Sequence, residues 1–519
     1  MNDFLWWRDG VIYQIYPRSF SDSNGDGLGD LVGIISRLDY LKDLGIDAIW
    51  LSPFQPTQDK DFGYDISNYV DVDPRFGTMV DYDRLVAEAH QRGIRIVLDM
   101  VLNHTSDQHA WFLESRSSRD NSKRDWYIWR DHPNNWQASF GGSAWEYDPV
   151  TQQYYLHLFT KGQPDVNWRN PEVRKAMLDV FRFWMERGAD GFRLDVFNAY
   201  FKDPNLPDNP PKFGLRAFDR QHHVHDIDQP EMIPLLNELR SLLDSYPERY
   251  AVGETYLVTL QKAISYCGKD KLHAAFSFDF TSNDLIYPWN PAWLLNQITR
   301  RDKAFNVAGI WPTTVMSNHD LPRAASRYSR TDNDVQAKLA MTLLLTLRGT
   351  PFLYYGEEIG MRDIPLKRSE ILDPPGKKYW PIYKGRDGCR SPMQWNDAPH
   401  AGFSNSQPWL PVHPNFPGRN VSAQQADPNS MFNFTKNLLK LRKGVPALRR
   451  GDFIPIKTPS GTLAYLRKTD EQSVIVAMNF SKRQVNINQT DGKWHTIFTT
   501  SDGACGTLEP YEIQLIMLE

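Results

Sequence analysis

Three carboxylates stand at or just past the ends of short apolar runs. Asp195 closes Gly191-Phe-Arg-Leu-Asp195, Glu254 closes Tyr250-Ala-Val-Gly-Glu254, and Asp320 ends Ser317-Asn-His-Asp320 after Thr313-Thr-Val-Met-Ser317. An acid behind an apolar run is costly unless it reaches solvent or a partner. Each has a candidate partner nearby in sequence: Arg193, Tyr256 and His319. Any one alone reads equally well as a helix cap or a solvated loop acid. Three with the same placement point to one shared site. Paired acids suit cleavage of a bond between sugars, one attacking or stabilising an oxocarbenium-like centre while the other protonates the leaving oxygen.

A second signal is Asp22-Ser-Asn-Gly-Asp-Gly-Leu-Gly-Asp30, with oxygen side chains at alternate positions and glycines for a sharp turn. Such donors suit Ca2+ or Mg2+. An EF-hand is disfavoured because Gly33 stands where the bidentate Glu belongs, and a plain Asx-turn loop without an ion is the alternative. Gly141-Gly142 is not part of a strand–helix phosphate loop, so no nucleotide chemistry is indicated. Cys267, Cys389 and Cys505 are too scattered for a disulfide framework or a C-x-x-C motif, which predicts a reducing, cytoplasmic setting.

The elements that must position these groups alternate. Strands are predicted at Val11–Tyr16, Ala48–Leu51, Ile94–Asp99, Gly191–Asp195, Tyr250–Glu254, His273–Phe276, Thr313–Ser317 and Pro351–Tyr355. Helical patterns cover Leu31–Leu44, Val80–Arg92, Pro171–Arg187, Glu231–Leu243 and Asp332–Leu347. Continuous apolar strands alternating with amphipathic helices predict an α/β fold, a (β/α)8 TIM barrel. Barrel segments 1–103 and 169–444 are interrupted by a Trp-, Asp- and Asn-rich insertion domain, 104–168, on the third βα loop. A polar subdomain, about 363–420, follows strand eight. Past a helix at Asn429–Lys443, the period-two runs Ser473–Asn479 and Tyr511–Met517 predict a C-terminal antiparallel β domain, a sandwich over 445–519.

The 519 residues are 41% hydrophobic and 24% charged, so collagen-like and disordered classes are excluded. A net charge of −4 implies no basic face for nucleic acid. The start, Met1 to Asp9, shows no signal-peptide pattern. The most apolar helical run, Leu339 to Leu347, falls short of the ~20 residues that span a bilayer.

Asp99-Met-Val-Leu-Asn-His104, Gly191–Asp195, Glu254 and Ser317–Asp320 resemble the four signature regions of the α-amylase superfamily, glycoside hydrolase family 13. Gln163-Pro-Asp-Val-Asn167 is similar to the fifth region of its oligo-1,6-glucosidase branch, with Val166 where Leu is usual. Tyr13–Phe20 and Arg390-Ser-Pro-Met-Gln-Trp395 are similarly typical, so the resemblance covers nearly the whole chain. It implies a retaining mechanism: Asp195 as nucleophile, Glu254 as acid and then base, and Asp320 holding substrate hydroxyls. Glu254 would need its proton near neutrality, which burial beside acids favours. Arg193, on the same strand face as Asp195, would keep the nucleophile ionised.

By the same resemblance Asp61, Tyr64, His104, His319 and Arg390 grip the terminal glucose, an Asp61–Arg390 pair closing the pocket and making the enzyme exo-acting. Phe140 and Phe159 are either walls of that pocket or core of the insertion. Val196, after the nucleophile, leans toward α-1,6 links, with strand packing as the plain reading of a β-branched residue. The long Phe197–Pro230 segment leans instead toward α-1,4 disaccharides. The resemblance also implies one structural Ca2+ (or Mg2+) on Asp22, Asn24, Asp26, Asp30 and the Leu28 carbonyl. Small oligosaccharides are the implied partners of a monomer or weak homodimer, with no protein partner, nucleic acid or membrane. The rival readings are a glucosyl isomerase or transferase of the sucrose isomerase or trehalose synthase type, and a non-catalytic barrel used for binding. No Arg-Leu-Asp-Arg-Asp stretch of the sucrose isomerase kind occurs.

Overall fold

The computed structural model describes residues 4–276, 278, 289–329, 333–487 and 492–519. Eight parallel strands form its central sheet: β1 (Ile12–Ile15), β2 (Ala48–Leu51), β3 (Arg95–Met100), β4 (Gly191–Leu194), β5 (Tyr250–Gly253), β6 (Ala274–Ala275), β7 (Thr313–Val315) and β8 (Thr350–Tyr354). They pair in the order β7-β8-β1-β2-β3-β4-β5-β6. Between the two end strands the Thr313 hydroxyl donates to the Ala275 carbonyl at 3.2 Å, so the sheet curls into a nearly closed barrel. Seven of the strands are buried at every position, and only Arg95 opens the eighth. That burial on both faces is why they read as unbroken apolar runs.

Helices pack around the sheet where the 3.6-residue period places them: Met79–Gln91, Pro171–Glu186, Met232–Asp244 and Val335–Thr346. The expected start of the last, Asp332, lies outside the described residues. The expected helix over Leu31–Leu44 divides into Leu31–Ile35 and Leu38–Leu44. At the break the Ser36 hydroxyl donates to the Gly33 carbonyl at 2.7 Å, a side chain competing for a backbone acceptor. The helix Pro291–Ala308, begun by an Asn290 cap and Pro291, was not anticipated. Its apolar side of Leu294, Ile298 and Phe305 is interrupted by buried Arg301 and Asp302, which blurs the pattern.

The insertion after β3 carries a three-stranded antiparallel sheet, Trp129–Arg130, Gln153–Leu156 and Trp145–Asp148, over a core of Trp136, Trp145, Leu156 and Leu158. Past the helix Met431–Gly444, a five-stranded antiparallel sheet runs through 452–456, 462–468, 473–479, 513–518 and 494–499. A two-stranded ladder, Val485–Asn486 with Thr507–Leu508, packs Leu508 against Ile475 and Ile516 of that sheet. Among the described residues, no helix is long and apolar enough to cross a membrane.

Candidate active site

Parallel strands in one barrel deliver their C-terminal ends to one rim. Asp99 on β3, Arg193 on β4, Asp195 just past β4 and Glu254 just past β5 meet there. Arg193 is their hub. Its Nη1 donates to Asp99 Oδ1 and to Asp195 Oδ1, each at 2.7 Å, and its Nη2 lies 2.5 Å from Glu254 Oε2. Tyr64 and Trp50 donate to the other oxygen of Asp99, at 3.0 and 3.2 Å. One guanidinium therefore serves three acids. Burial, with the charges of Glu254, Asp99 and Asp320, pushes Asp195 well up against the pull of Arg193. Burial pushes Asp99 up to about 6 in the same way. Asp99 and Asp195, buried beside further carboxylates, therefore retain a proton more readily than isolated carboxyls do.

The third acid has a different environment. Asp320 Oδ1 accepts from Arg386 Nη1 at 3.1 Å and from Arg390 Nη2 at 2.9 Å. Burial opposes its ionisation, but the adjacent His319 and the guanidinium groups of Arg386, Arg390 and Arg193 outweigh it and hold the carboxyl well below the usual range. The expected Asp61–Arg390 pair is corrected here. Asp61 pairs with Arg386, whose Nη2 lies 2.6 Å from Asp61 Oδ1 and 2.7 Å from Asp373 Oδ1, whereas Arg390 goes to Asp320 and the His319 carbonyl. Across the Asp387–Arg390 turn the two arginines share Asp320, and Arg386 alone reaches on to Asp61 and Asp373. Arg386 and Asp373 sit in a stretch without period, so neither pattern nor motif singled them out.

His104 and His319 are neutral, burial lowering them to about 4 and about 3. Gln14 Nε2 lies 2.8 Å from His319 Nδ1, which assigns Nδ1 as acceptor and leaves Nε2–H toward Asp320 Oδ2 at 3.3 Å. Tyr64 stacks on the His319 ring at 5.0 Å. His104 Nε2 lies 2.9 Å from the Tyr64 carbonyl. Gln163, from the fifth-region motif, reaches both His104 and Tyr64. Tyr256 does not bond Glu254, the partner expected from sequence; its hydroxyl pairs with Ser139 of the insertion at 2.6 Å.

Asp61, Tyr64, His104, Asp195, Glu254, His319, Asp320 and Arg386 line one cleft of about 1140 Å3, with Arg193, Asp99 and Arg390 behind them. Phe140 and Phe159 both line it, Phe140 lying under the Arg386 guanidinium at 5.0 Å and Phe159 against His104 at 5.2 Å. Val196 lines it too, at φ 34° and ψ 39°. That left-handed conformation is strained for a β-branched residue, and it puts Val196 just beyond β4 rather than in it. Strand packing therefore does not explain the residue.

The 22–30 loop lies apart from the cleft. Its donors are all oxygen, the chemistry Ca2+ prefers, but the side chains turn to the loop's own backbone. Asp22 accepts from the Gly25 and Gly27 amides at 2.7 and 2.8 Å, Asp26 from Leu28 at 2.8 Å, and Asp30 from Gly33 at 2.6 Å as the cap of the next helix. Asn24 donates to Asp26 at 3.3 Å. Among the described residues, no three acids, histidines or cysteines are gathered around a common point for a metal.

Residues 14–451 match the family profile described as alpha amylase, catalytic domain. A protein of Rhizobium meliloti (strain 1021) named "Probable alpha-glucosidase" is 45% identical over 499 residues, covering 92% of this chain and 89% of its own. An "Oligo-1,6-glucosidase" of Parageobacillus thermoglucosidasius is 41% identical over 537 residues, covering 96% and 94%. The crystal structure of an alpha-glucosyl transfer enzyme, XgtA, superposes with a TM-score of 0.93 at 41% identity, covering 100% of both chains. The rim of acids, the insertion that roofs it and these matches over nearly the full length agree: the chain belongs to the alpha-amylase family of glycoside hydrolases.

Proposed function

We propose that the protein is an exo-acting, retaining α-glucosidase that releases terminal glucose from short α-linked oligosaccharides. The observation that carries this is the pair Asp195 and Glu254 on adjacent nitrogens of one guanidinium. That close spacing suits the ~5–5.5 Å of retaining pairs better than the wider gap inverting enzymes need for a water. Asp195 attacks C1 as Glu254 protonates the departing oxygen; Glu254 then takes a proton from water, which releases glucose from the Asp195 ester. Asp320, held ionised by His319 and the neighbouring arginines, accepts hydroxyls of the sugar ring. The Asp61–Arg386 pair blocks the inner end, which favours exo action. Sugar acceptors in place of water give transglycosylation, a reading that the likeness to a glucosyl transfer enzyme favours. Product analysis on isomaltose, maltose, sucrose and trehalose tests the proposal. Free glucose of α configuration is expected; a new disaccharide formed without glucose release indicates an isomerase instead.

Val196 at the cleft wall leans toward α-1,6 links. Val196→Thr is expected to shift the isomaltose-to-maltose ratio of kcat/KM toward maltose by roughly tenfold, the scale of one methyl-sized contact. An unchanged ratio removes the α-1,6 argument.

We propose further that the 22–30 loop binds Ca2+ (or Mg2+) in a structural role, its acids exchanging backbone partners for the ion. Calcium at a hundredfold excess over Kd is then expected to stabilise the fold by about 2.7 kcal/mol, seen as a raised Tm that Asp26→Ala abolishes. A Tm indifferent to both calcium and chelator removes the site. Cys267 and Cys389 are buried thiols outside any disulfide, which suits a cytoplasmic setting.

A further inference from the structure

Asp195 and Glu254 leave the sheet in different surroundings. The stretch from Asp195 to Tyr200 is buried at every position, whereas 254–258 is at least partly exposed throughout. The Glu254 amide still donates to the Leu194 carbonyl at 2.8 Å, but the residues after it have left β5. A loop that carries a proton donor and meets solvent needs a hold of its own.

That hold comes from the turn Phe197–Ala199, which follows the nucleophile. Phe197 packs before Glu254: a β-carbon on Gly253 would lie 2.3 Å from Phe197 Cε1, so glycine makes room for the ring. Asn198 grips the chain after Glu254. It is fully buried, and its amide pairs with the Tyr256 backbone in both directions. Oδ1 accepts the Tyr256 N–H at 2.8 Å, and Nδ2 donates to the Tyr256 carbonyl at 2.9 Å. Nδ2 also donates to Asp228 Oδ1 at 3.1 Å, and the Asn198 carbonyl accepts from the Asp228 amide at 2.7 Å. These partners fix the orientation of the amide, because the flipped form sets N–H against N–H and oxygen against oxygen. Asn198 does not line the cleft, so it touches no substrate.

We propose that Asn198 is a positioning residue for Glu254, its two-way hydrogen bond to Tyr256 tying the acid's loop to the nucleophile's loop and so setting the reach of the proton donor to the leaving oxygen. The inference rests on the α-glucosidase reading. Loss of the tie releases the partly exposed 254–258 stretch rather than Asp195. The nucleophile keeps its bond from Arg193 at 2.7 Å, and its amide keeps the Met100 carbonyl at 3.0 Å.

The test compares two substrates in Asn198→Asp and Asn198→Ala. One is the disaccharide, isomaltose or maltose, that the natural protein cleaves faster; the other is α-D-glucosyl fluoride. Fluoride leaves C1 with little help from a proton, so its kcat/KM depends on Asp195 far more than on Glu254. Asn198→Asp keeps the size and the acceptor but sets a second oxygen against the Tyr256 carbonyl and Asp228, and Asn198→Ala removes both bonds. Either variant is expected to lose roughly 10^2-fold in kcat/KM on the disaccharide, carried by kcat, which is the scale of a small misplacement of a catalytic group. The ratio of disaccharide to fluoride kcat/KM is expected to fall at least about tenfold, and it is independent of the fraction of enzyme folded. A ratio that does not fall, or failure of both variants to fold, assigns Asn198 to the fold alone and overturns the inference while the hydrolase reading stands. A natural protein that cleaves neither disaccharide nor the fluoride overturns both.

Discussion

Asp195→Asn is expected to lower kcat at least about 10^4-fold, roughly 5 kcal/mol of lost transition-state stabilisation, with little change in KM. The substitution keeps the shape and removes the charge. In the structure Asp195 Oδ1 is one of three carboxylate oxygens on Arg193. An amide there still fills the space but cannot form the ester. Truncation to Asp195→Gly makes the prediction sharper, because it leaves room for an external anion. Azide entering that space attacks C1 from the side opposite the aglycone and is expected to yield β-glucosyl azide, a single inversion. Glu254→Gln, on the same guanidinium, is expected to behave differently. Substrates with poor leaving groups should suffer most, because they depend on protonation. Rates near those of the natural protein for Asp195→Asn would instead restore the reading of a barrel used only for binding. An azide adduct of α configuration would exclude Asp195 as nucleophile.

Much of this site is legible in the sequence because barrel strands carry two signals at once. Continuous burial makes runs such as Ala48–Leu51 and Gly191–Leu194 conspicuous. A charged residue at the end of such a run then stands out by its cost. Asp195, Glu254 and Asp320 were found in that way, and the structure brings all three to one cleft. What the sequence conceals has a physical reason too. Asp99 is part of the same cluster, yet it lies inside its strand, where its neutralisation by Arg193 depends on the β3–β4 register that sets the two residues side by side. Arg386 comes from a loop whose conformation is set by Asp373, and no period reports that contact. The Asp61–Arg390 pair was a carry-over from motif position alone, and a displacement of four residues was enough to misassign it. Val196 was readable as a residue type but not as a backbone conformation.

Arg193 is the position where stability and chemistry are most tightly joined. It is fully buried, and Asp99, Asp195 and Glu254 all depend on its two terminal nitrogens. Arg193→Met is expected to destabilise the fold by about 3–5 kcal/mol, the cost of leaving buried charge without its partner, and to abolish measurable turnover. Arg193→Lys keeps one positive charge but not the planar fork that reaches several oxygens at once. It is expected to retain most of the stability and to lose roughly 10^3-fold in kcat/KM, a loss on the scale of removing a positioned electrostatic group. The pH dependence distinguishes this from simple misfolding. Asp99 is raised to about 6 and Asp195 is raised as well, whereas unfolded carboxyls titrate near ~3.9. A raised acid binds its proton in the folded state after the unfolded chain has released it. Its contribution to stability is therefore complete below ~3.9 and lost as pH rises through the folded value. Weakening the cation moves those folded values further up, so the Lys variant should lose stability, relative to the natural protein, chiefly at neutral and alkaline pH. Because attack on C1 needs Asp195 ionised, the acid limb of its kcat/KM profile should move upward in the same variant. A Lys variant with the natural acid limb and an unaltered dependence of Tm on pH would show that Arg193 merely fills space, and that the acids are balanced by something else.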